Sequence, residues 1–126
     1  KKFNARDGLA IKNFIIKGNK AGFISSGIND NIIRRRAELL GVQYVYTGTW
    51  DKVSIIANWC KELGIDMKNV AYIGDDINDL PVFEKVGISF CPSDADQEIK
   101  NKSTIILSKK GGDGCVREMI DNYFIL

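Results

Sequence analysis

The chain has 126 residues, 44% of them hydrophobic, with a formal net charge of +2. That is enough to bury one core, and the charge is too small to argue for nucleic acid. Histidine is absent, the three cysteines (Cys60, Cys91, Cys115) are widely spaced, and no apolar run reaches the roughly eighteen residues of a membrane span. These facts exclude His-based acid–base chemistry, a His-ligated metal and a CxxC zinc pattern. Reduced thiols and a cytoplasmic location are expected. The sequence opens on Lys1 without Met and without a signal-peptide pattern, so a trimmed, cut or omitted amino terminus is expected.

Helical and strand-like segments alternate along the chain. Leu9 to Lys17 carries closely spaced apolar residues and ends at Gly18, which predicts a largely buried helix. Ala21 to Ile24 reads as a strand closing in Ser25-Ser26-Gly27. Asn29 or Asp30 can cap the next helix, which runs through Ile32, Ile33, Ala37, Leu39 and Leu40 to Gly41. Val42 to Tyr46 is a second strand. Asp51 caps a helix with Val53, Ile55, Ile56, Trp59 and Leu63 inward, ended by Gly64. Val70 to Ile73 is a third strand, followed by a short helix from Leu80 to Lys85 with Pro81 in its first turn. Ile88 to Phe90, a polar helix from Ser93 to Lys100, a strand from Thr104 to Leu107 and a helix from Cys115 to Phe124 complete the order.

Strands separated by such helices require crossover connections, and hence a parallel sheet. The predicted fold is α/β, a doubly wound Rossmann-like parallel sheet in one domain over residues 1–126. The first helix has no strand before it, so the first strand of that sheet is expected to be missing. A sheet lacking its central strand would leave buried backbone groups unpaired.

The most informative stretch is Val70-Ala71-Tyr72-Ile73-Gly74-Asp75-Asp76-Ile77-Asn78-Asp79. A buried strand ends in a glycine, and three carboxylates follow in the loop at its carboxyl end. Ligands of open α/β sheets bind at that edge. Clustered carboxylates repel unless a cation lies among them, and hard oxygen donors suit Mg²⁺. A helix cap would use one of these carboxylates and leave the others unexplained.

The loops after the strands share this edge, so Ser25 and Ser26, Asp51 and Lys52, the three aspartates, and Lys109-Lys110-Gly111-Gly112-Asp113-Gly114 converge there. A hydroxyl, a lysine and a carboxylate-bound cation together make a phosphate site. Lys52 stands in the first turn of its helix, where the macrodipole disfavours a cation, which points to a bound anion. Ser25 and Ser26 are equally readable as polar residues leading into a helix. The glycine cluster is readable as a turn or an anion-binding loop. Arg34-Arg35-Arg36 spreads around its helix, so at least one arginine meets a neighbouring element or subunit. Trp50 and Trp59 read as packing residues.

These residues, in this order, resemble the haloacid dehalogenase superfamily, and within it the capless branch acting on sugar-acid phosphates. The resemblance runs through Lys2-Phe3-Asn4-Ala5-Arg6-Asp7-Gly8, Arg34-Arg35-Arg36-Ala37-Glu38, Asp51-Lys52, Val70 to Val82, and Lys110-Gly111-Gly112-Asp113-Gly114 with Arg117-Glu118. It implies a Mg²⁺-dependent phosphatase of an eight- or nine-carbon 2-keto-3-deoxy sugar acid, working through an aspartyl-phosphate in sugar-acid and lipopolysaccharide biosynthesis. Ser25 would hold the transferring phosphoryl group, with Ser26 the alternative. Lys52 would bind its oxygens. Asp75 would ligate Mg²⁺, and Asp76 and Asp79 would orient waters and Lys52. The branch forms homotetramers whose subunits close one another's sites, so Arg35, Arg36 and Arg117 would grip a sugar carboxylate or the interface.

The branch opens with a strand ending in Asp-x-Asp-Gly, whose first Asp is the nucleophile. Here Asp7-Gly8 matches the tail of that motif, but the position two before Asp7 is Ala5, and Lys1 to Asn4 is no buried strand. The nucleophile is therefore expected before Lys1, and these residues alone are expected not to turn over. An alternative from the same resemblance is a phosphatase-like oligomerisation domain of a sialic acid or related cytidylyltransferase. A third reading is a small phosphate-accepting receiver-like domain.

Overall fold

The computed structural model describes residues 5–25, 30–49 and 51–124. In chain order these form α1 (Ala5–Ile16), β1 (Gly22–Ser25), α2 (Asp30–Leu40), β2 (Tyr44–Thr47), α3 (Lys52–Leu63), β3 (Ala71–Ile73), α4 (Leu80–Phe83), β4 (Ile88–Cys91), α5 (Gln97–Lys102), β5 (Ile105–Ile106) and α6 (Cys115–Tyr123). Single 3₁₀ turns, Met67–Asn69 and Ile77–Asp79, flank β3. Ser26 and Trp50, and the resemblance at Lys2 to Asn4, lie outside the described residues.

Local signals account for α3 as read. Asp51 accepts a hydrogen bond from Val53 N at 3.0 Å, and Gly64 leaves the helix with φ of 68°, a left-handed turn that glycine adopts without steric cost. Other boundaries moved. α1 begins four residues before the predicted start, because its first turn is held against α6 by Asp7. α5 begins at Gln97 instead of Ser93. The Asp94 side chain accepts from Gly111 N at 2.9 Å, and Ser93 N donates to Lys109 O at 2.9 Å, so this stretch serves a neighbouring loop.

All strand pairs are parallel, as the alternation of helices and strands requires. They form two sheets, β1-β2 and β3-β4-β5. Among the described residues no ladder joins β1 to β3. The helices nevertheless cover both sheets in common. On one face α1 packs with α6 over Ala71, Ile73 and Phe90, and with α2 over Phe23 and Val45. On the other, Ile56, Cys60 and Val82 of α3 and α4 pack with both Ile24 of β1 and Tyr72 of β3. The side chains of each strand alternate between these two helical layers. The carboxyl ends of β1 and β3, with the amino end of α3, therefore lie around one apolar cluster, which positions the site.

The three cysteines are free and buried. Among the described residues no helix is long and apolar enough to cross a membrane.

Candidate active site

Asp79 is the centre of the site. It closes the 3₁₀ turn after β3 and is 3% exposed. Such a carboxylate is tolerated only when its acceptor capacity is filled. Its Oδ2 accepts from Asp75 N and Asp76 N, each at 3.0 Å. Its Oδ1 accepts from Lys52 Nζ at 2.8 Å and Tyr72 Oη at 2.5 Å. Burial pushes the Asp79 carboxyl up, but the hydrogen bonds from Lys52, Tyr72 and the Asp76 amide together outweigh it and leave the group below its usual range. Burial, then the neighbouring Asp79 charge, pushes Tyr72 far above the usual phenol range, so it is a hydroxyl donor.

The geometry depends on Gly74. A Cβ there would lie 2.6 Å from both Cγ and Oδ2 of Asp79. Only a glycine lets the carboxylate press against the backbone it receives hydrogen bonds from.

The three loop carboxylates have separate places. Asp76 caps the 3₁₀ turn, accepting from Ile77 N at 2.7 Å, in a capping box with Asp79. Asp75 is exposed, and its carboxylate accepts no hydrogen bond among the described residues. Asp75 therefore has the free hard-oxygen donor of the loop. Among the described residues no three His, Cys, Asp or Glu side chains form a metal cluster. One carboxylate, with the remaining positions taken by water and phosphate oxygens, is a donor set that Mg²⁺ accepts.

Lys52 begins α3, and its side chain is 13% exposed in the pair with Asp79. Ser25 ends β1, its carbonyl accepting from Gly48 N at 2.9 Å. Its register partner Thr47 donates to Asp30, which also receives Arg34 Nε at 2.7 Å. The Thr47 hydrogen bond, then that of Arg34, holds Asp30 below its usual range.

The loop before α6 lies beside Asp75: a Cβ on Gly111 would sit 3.9 Å from Asp75 Oδ2. Its near limb is held by Glu118, whose carboxylate accepts from Ser108 N at 2.9 and 3.0 Å and Lys109 N at 2.9 Å. The amino end of α6 has a carboxylate of its own molecule on it. Gly114 supplies no side-chain cap, and Asp7 accepts from Arg117 N at 2.9 Å. Asp94 accepts from Gly111 N within this loop, and Asp7 accepts from the first turn of the helix after it.

The predicted arginines do not gather at the acidic loop. Arg117 Nε donates to Asp121 at 2.6 Å on its own helix. Arg36 turns to α1, its Nη2 2.4 Å from where a Gly8 Cβ would stand, and its charge acts on Asp7. Arg35 is exposed on α2. Neither Arg35 nor Arg117 forms an ion pair with Asp75, Asp76 or Asp79 among the described residues.

Tyr72 is the site residue that sequence reasoning passed over. It sits inside an apolar run and reads as a strand-core residue. The available signal is that a buried tyrosine needs a hydroxyl partner, and the nearest carboxylates follow it in the chain.

A family model described as haloacid dehalogenase-like hydrolase matches residues 24–119. The chain is 38% identical over 121 residues to the 3-deoxy-D-manno-octulosonate 8-phosphate phosphatase of Haemophilus influenzae, covering 96% of this chain and 67% of that protein. It is 34% identical to the Escherichia coli K12 protein of the same name, covering 64% of it. The chain thus spans about two thirds of these relatives' length. The cobalt-bound H. influenzae structure superposes with a TM-score of 0.90 at 37% identity, covering 96% of this chain and 70% of that one. The Moraxella catarrhalis phosphatase, in complex with magnesium, phosphate and the sugar acid, gives 0.90 at 30% identity, covering 96% and 69%. With the matched model over most of the sequence and the fold shared throughout, the chain belongs to the haloacid dehalogenase-like hydrolases.

Proposed function

We propose that the protein hydrolyses the phosphate monoester of an eight- or nine-carbon 2-keto-3-deoxy sugar acid. The observation that carries this reading is the buried Lys52–Asp79 pair, 2.8 Å apart, next to the exposed carboxylate of Asp75. A lysine held this way has two further N–H groups for phosphoryl oxygens. The names of the relatives support the substrate class.

In this reaction an aspartate outside these 126 residues attacks phosphorus, and the bond from phosphorus to the sugar oxygen breaks. The sugar oxygen leaves with a proton given by a second aspartate outside these residues, which regains one from the water of the next step. Water then attacks the aspartyl-phosphate, releasing inorganic phosphate and restoring the carboxylate. Ser25 and Lys52 hold the phosphoryl oxygens through both steps, with Ser26 the alternative hydroxyl. Asp79 orients Lys52, and Asp76 shapes the loop. Asp75 would hold Mg²⁺, which when bound offsets the negative charge on the phosphoryl oxygens. Of the three arginines, Arg35 is the one free to reach a sugar carboxylate or a neighbouring subunit of a homotetramer. Arg36 faces α1, and Arg117 is paired with Asp121. The helices shared by both sheets support reading residues 1–126 as part of a single domain.

The test is phosphate release by the complete protein from 3-deoxy-D-manno-octulosonate 8-phosphate and its nine-carbon counterpart, with Mg²⁺ and after chelation. Lys52→Ala and Asp75→Ala are each expected to lower kcat by about a hundredfold or more, the scale for losing one electrostatic stabiliser. Undiminished release in both variants overturns the reading.

A further inference from the structure

We infer that Tyr72 is a positioning residue that confines the Lys52 ammonium to a single hydrogen bond with Asp79, leaving its other two N–H groups for the phosphoryl group. The inference rests on the phosphatase reading above.

The acceptor sites of Asp79 are all taken. An ionised carboxylate has about four lone-pair positions, two on each oxygen. On Asp79 both Oδ2 positions are filled by Asp75 N and Asp76 N. The two on Oδ1 are filled by Lys52 Nζ at 2.8 Å and Tyr72 Oη at 2.5 Å. The tyrosine distance is that of a charge-assisted O–H···O⁻ bond, the stronger kind. With Tyr72 in place, Lys52 has one position to donate into. Its remaining protons point elsewhere, and the outward side of this cluster is the Asp75 loop.

The hydroxyl is held on Asp79 by its own 2.5 Å bond, and the ring adds packing. Tyr72 packs edge-on against Phe83, with centroids 6.1 Å apart and planes at 69°, and lies between the Val82 and Phe83 clusters on the α3 side of the sheet. Asp79 is fixed by the two backbone amides and by Gly74, which has no room for a side chain. Lys52 is the only flexible member, so its ammonium follows whatever positions the other groups leave. Removing the hydroxyl opens the second Oδ1 position. A second ammonium N–H can then turn inward, and the cation is drawn towards Asp79 and away from substrate.

Tyr72→Phe keeps the ring and its packing. In the complete protein it is expected to lower kcat about tenfold while KM for the sugar-acid phosphate stays within about twofold, the pattern of an interaction made in the transition state. The Lys52 ammonium ¹H–¹⁵N resonance is expected to shift between wild type and Tyr72→Phe. Phe83→Leu loosens the same ring but keeps the hydroxyl. It is expected to lower the melting temperature and leave both the Lys52 resonance and kcat as in wild type. Wild-type kcat together with an unmoved Lys52 resonance in Tyr72→Phe overturns the inference. So does a Phe83→Leu variant that reproduces the Tyr72→Phe resonance, because loosened packing would then explain it. If the wild-type protein releases no phosphate from either sugar acid, the phosphatase reading fails. The Lys52 resonance still decides the role of Tyr72: a shift confined to Tyr72→Phe supports it, and no shift removes it.

Discussion

Asp7 and Arg117 are 110 residues apart in sequence, yet the Asp7 carboxylate accepts the Arg117 backbone N–H at 2.9 Å. The first turn of α1 thereby caps α6, whose own cap position is a glycine without a side chain. Capping is ordinarily local, because the capping side chain stands next to the amides it serves. Here the two helices lie against each other over Ala10, Phe14, Cys115 and Met119, and that packing delivers the carboxylate.

Asp7→Ala is expected to lower stability by roughly 1–2 kcal/mol, the range for a lost cap, and Asp7→Asn by less because its carbonyl can still accept. Burial raises the Asp7 carboxyl above 3.8, despite the backbone hydrogen bonds from Arg117, Val116 and Gly114. A raised folded value means the group's contribution is full below 3.8 and is lost as pH rises through the folded value. The stability of wild type relative to Asp7→Asn should therefore fall between pH 3 and neutrality. Urea titrations of both proteins across that range check this.

Gly74→Ala is expected to damage fold and site together. The new methyl would stand 2.6 Å from the Asp79 carboxylate, which cannot retreat without leaving its four donors. Overpacking of this kind costs about 1–3 kcal/mol. The melting temperature and phosphate release should fall in the same variant. An unchanged melting temperature would show that the loop yields easily.

Asp79→Ala leaves the Lys52 ammonium in a largely buried place without its partner, and breaking such a pair costs about 3–5 kcal/mol. The Asp79 carboxyl lies below 3.8 in the folded protein, the hydrogen bonds having overcome burial. Its contribution is therefore present above 3.8 and lost as pH falls through the folded value. Acid unfolding followed by circular dichroism should show a shallower acid limb for Asp79→Asn than for wild type.

Glu118→Gln should loosen the loop beside Asp75. A carboxylate accepting from Ser108 N and Lys109 N becomes an amide with one acceptor oxygen. Exchange of these two amides with solvent should quicken roughly tenfold, equivalent to about 1.4 kcal/mol. Amide exchange by NMR reads this directly, and rates equal to wild type would show that the carboxylate does not hold the limb.

Much of this architecture was legible in the sequence, because its causes are short-ranged. The Asp51 cap, the Gly64 exit and the apolar spacing of α3 act within a few residues. The apolar stretch before the Asp-rich loop announces both a strand and the functional edge. Alternating strands and helices leave only parallel pairing, and the family followed from motifs that keep their spacing.

Tertiary structure alone decided what each polar group does, because a hydrogen bond depends on distance in space. Spacing alone does not separate Asp75, Asp76 and Asp79, to which only the resemblance gave different roles. In the structure one is an exposed oxygen donor, one a turn cap and one a buried hub. Tyr72 looks apolar until its hydroxyl meets Asp79. Asp94 reads as part of a helix until the Gly111 amide takes its carboxylate. Arg117, for which the resemblance implies a grip on a sugar carboxylate or the interface, has its Nε on Asp121 one turn along.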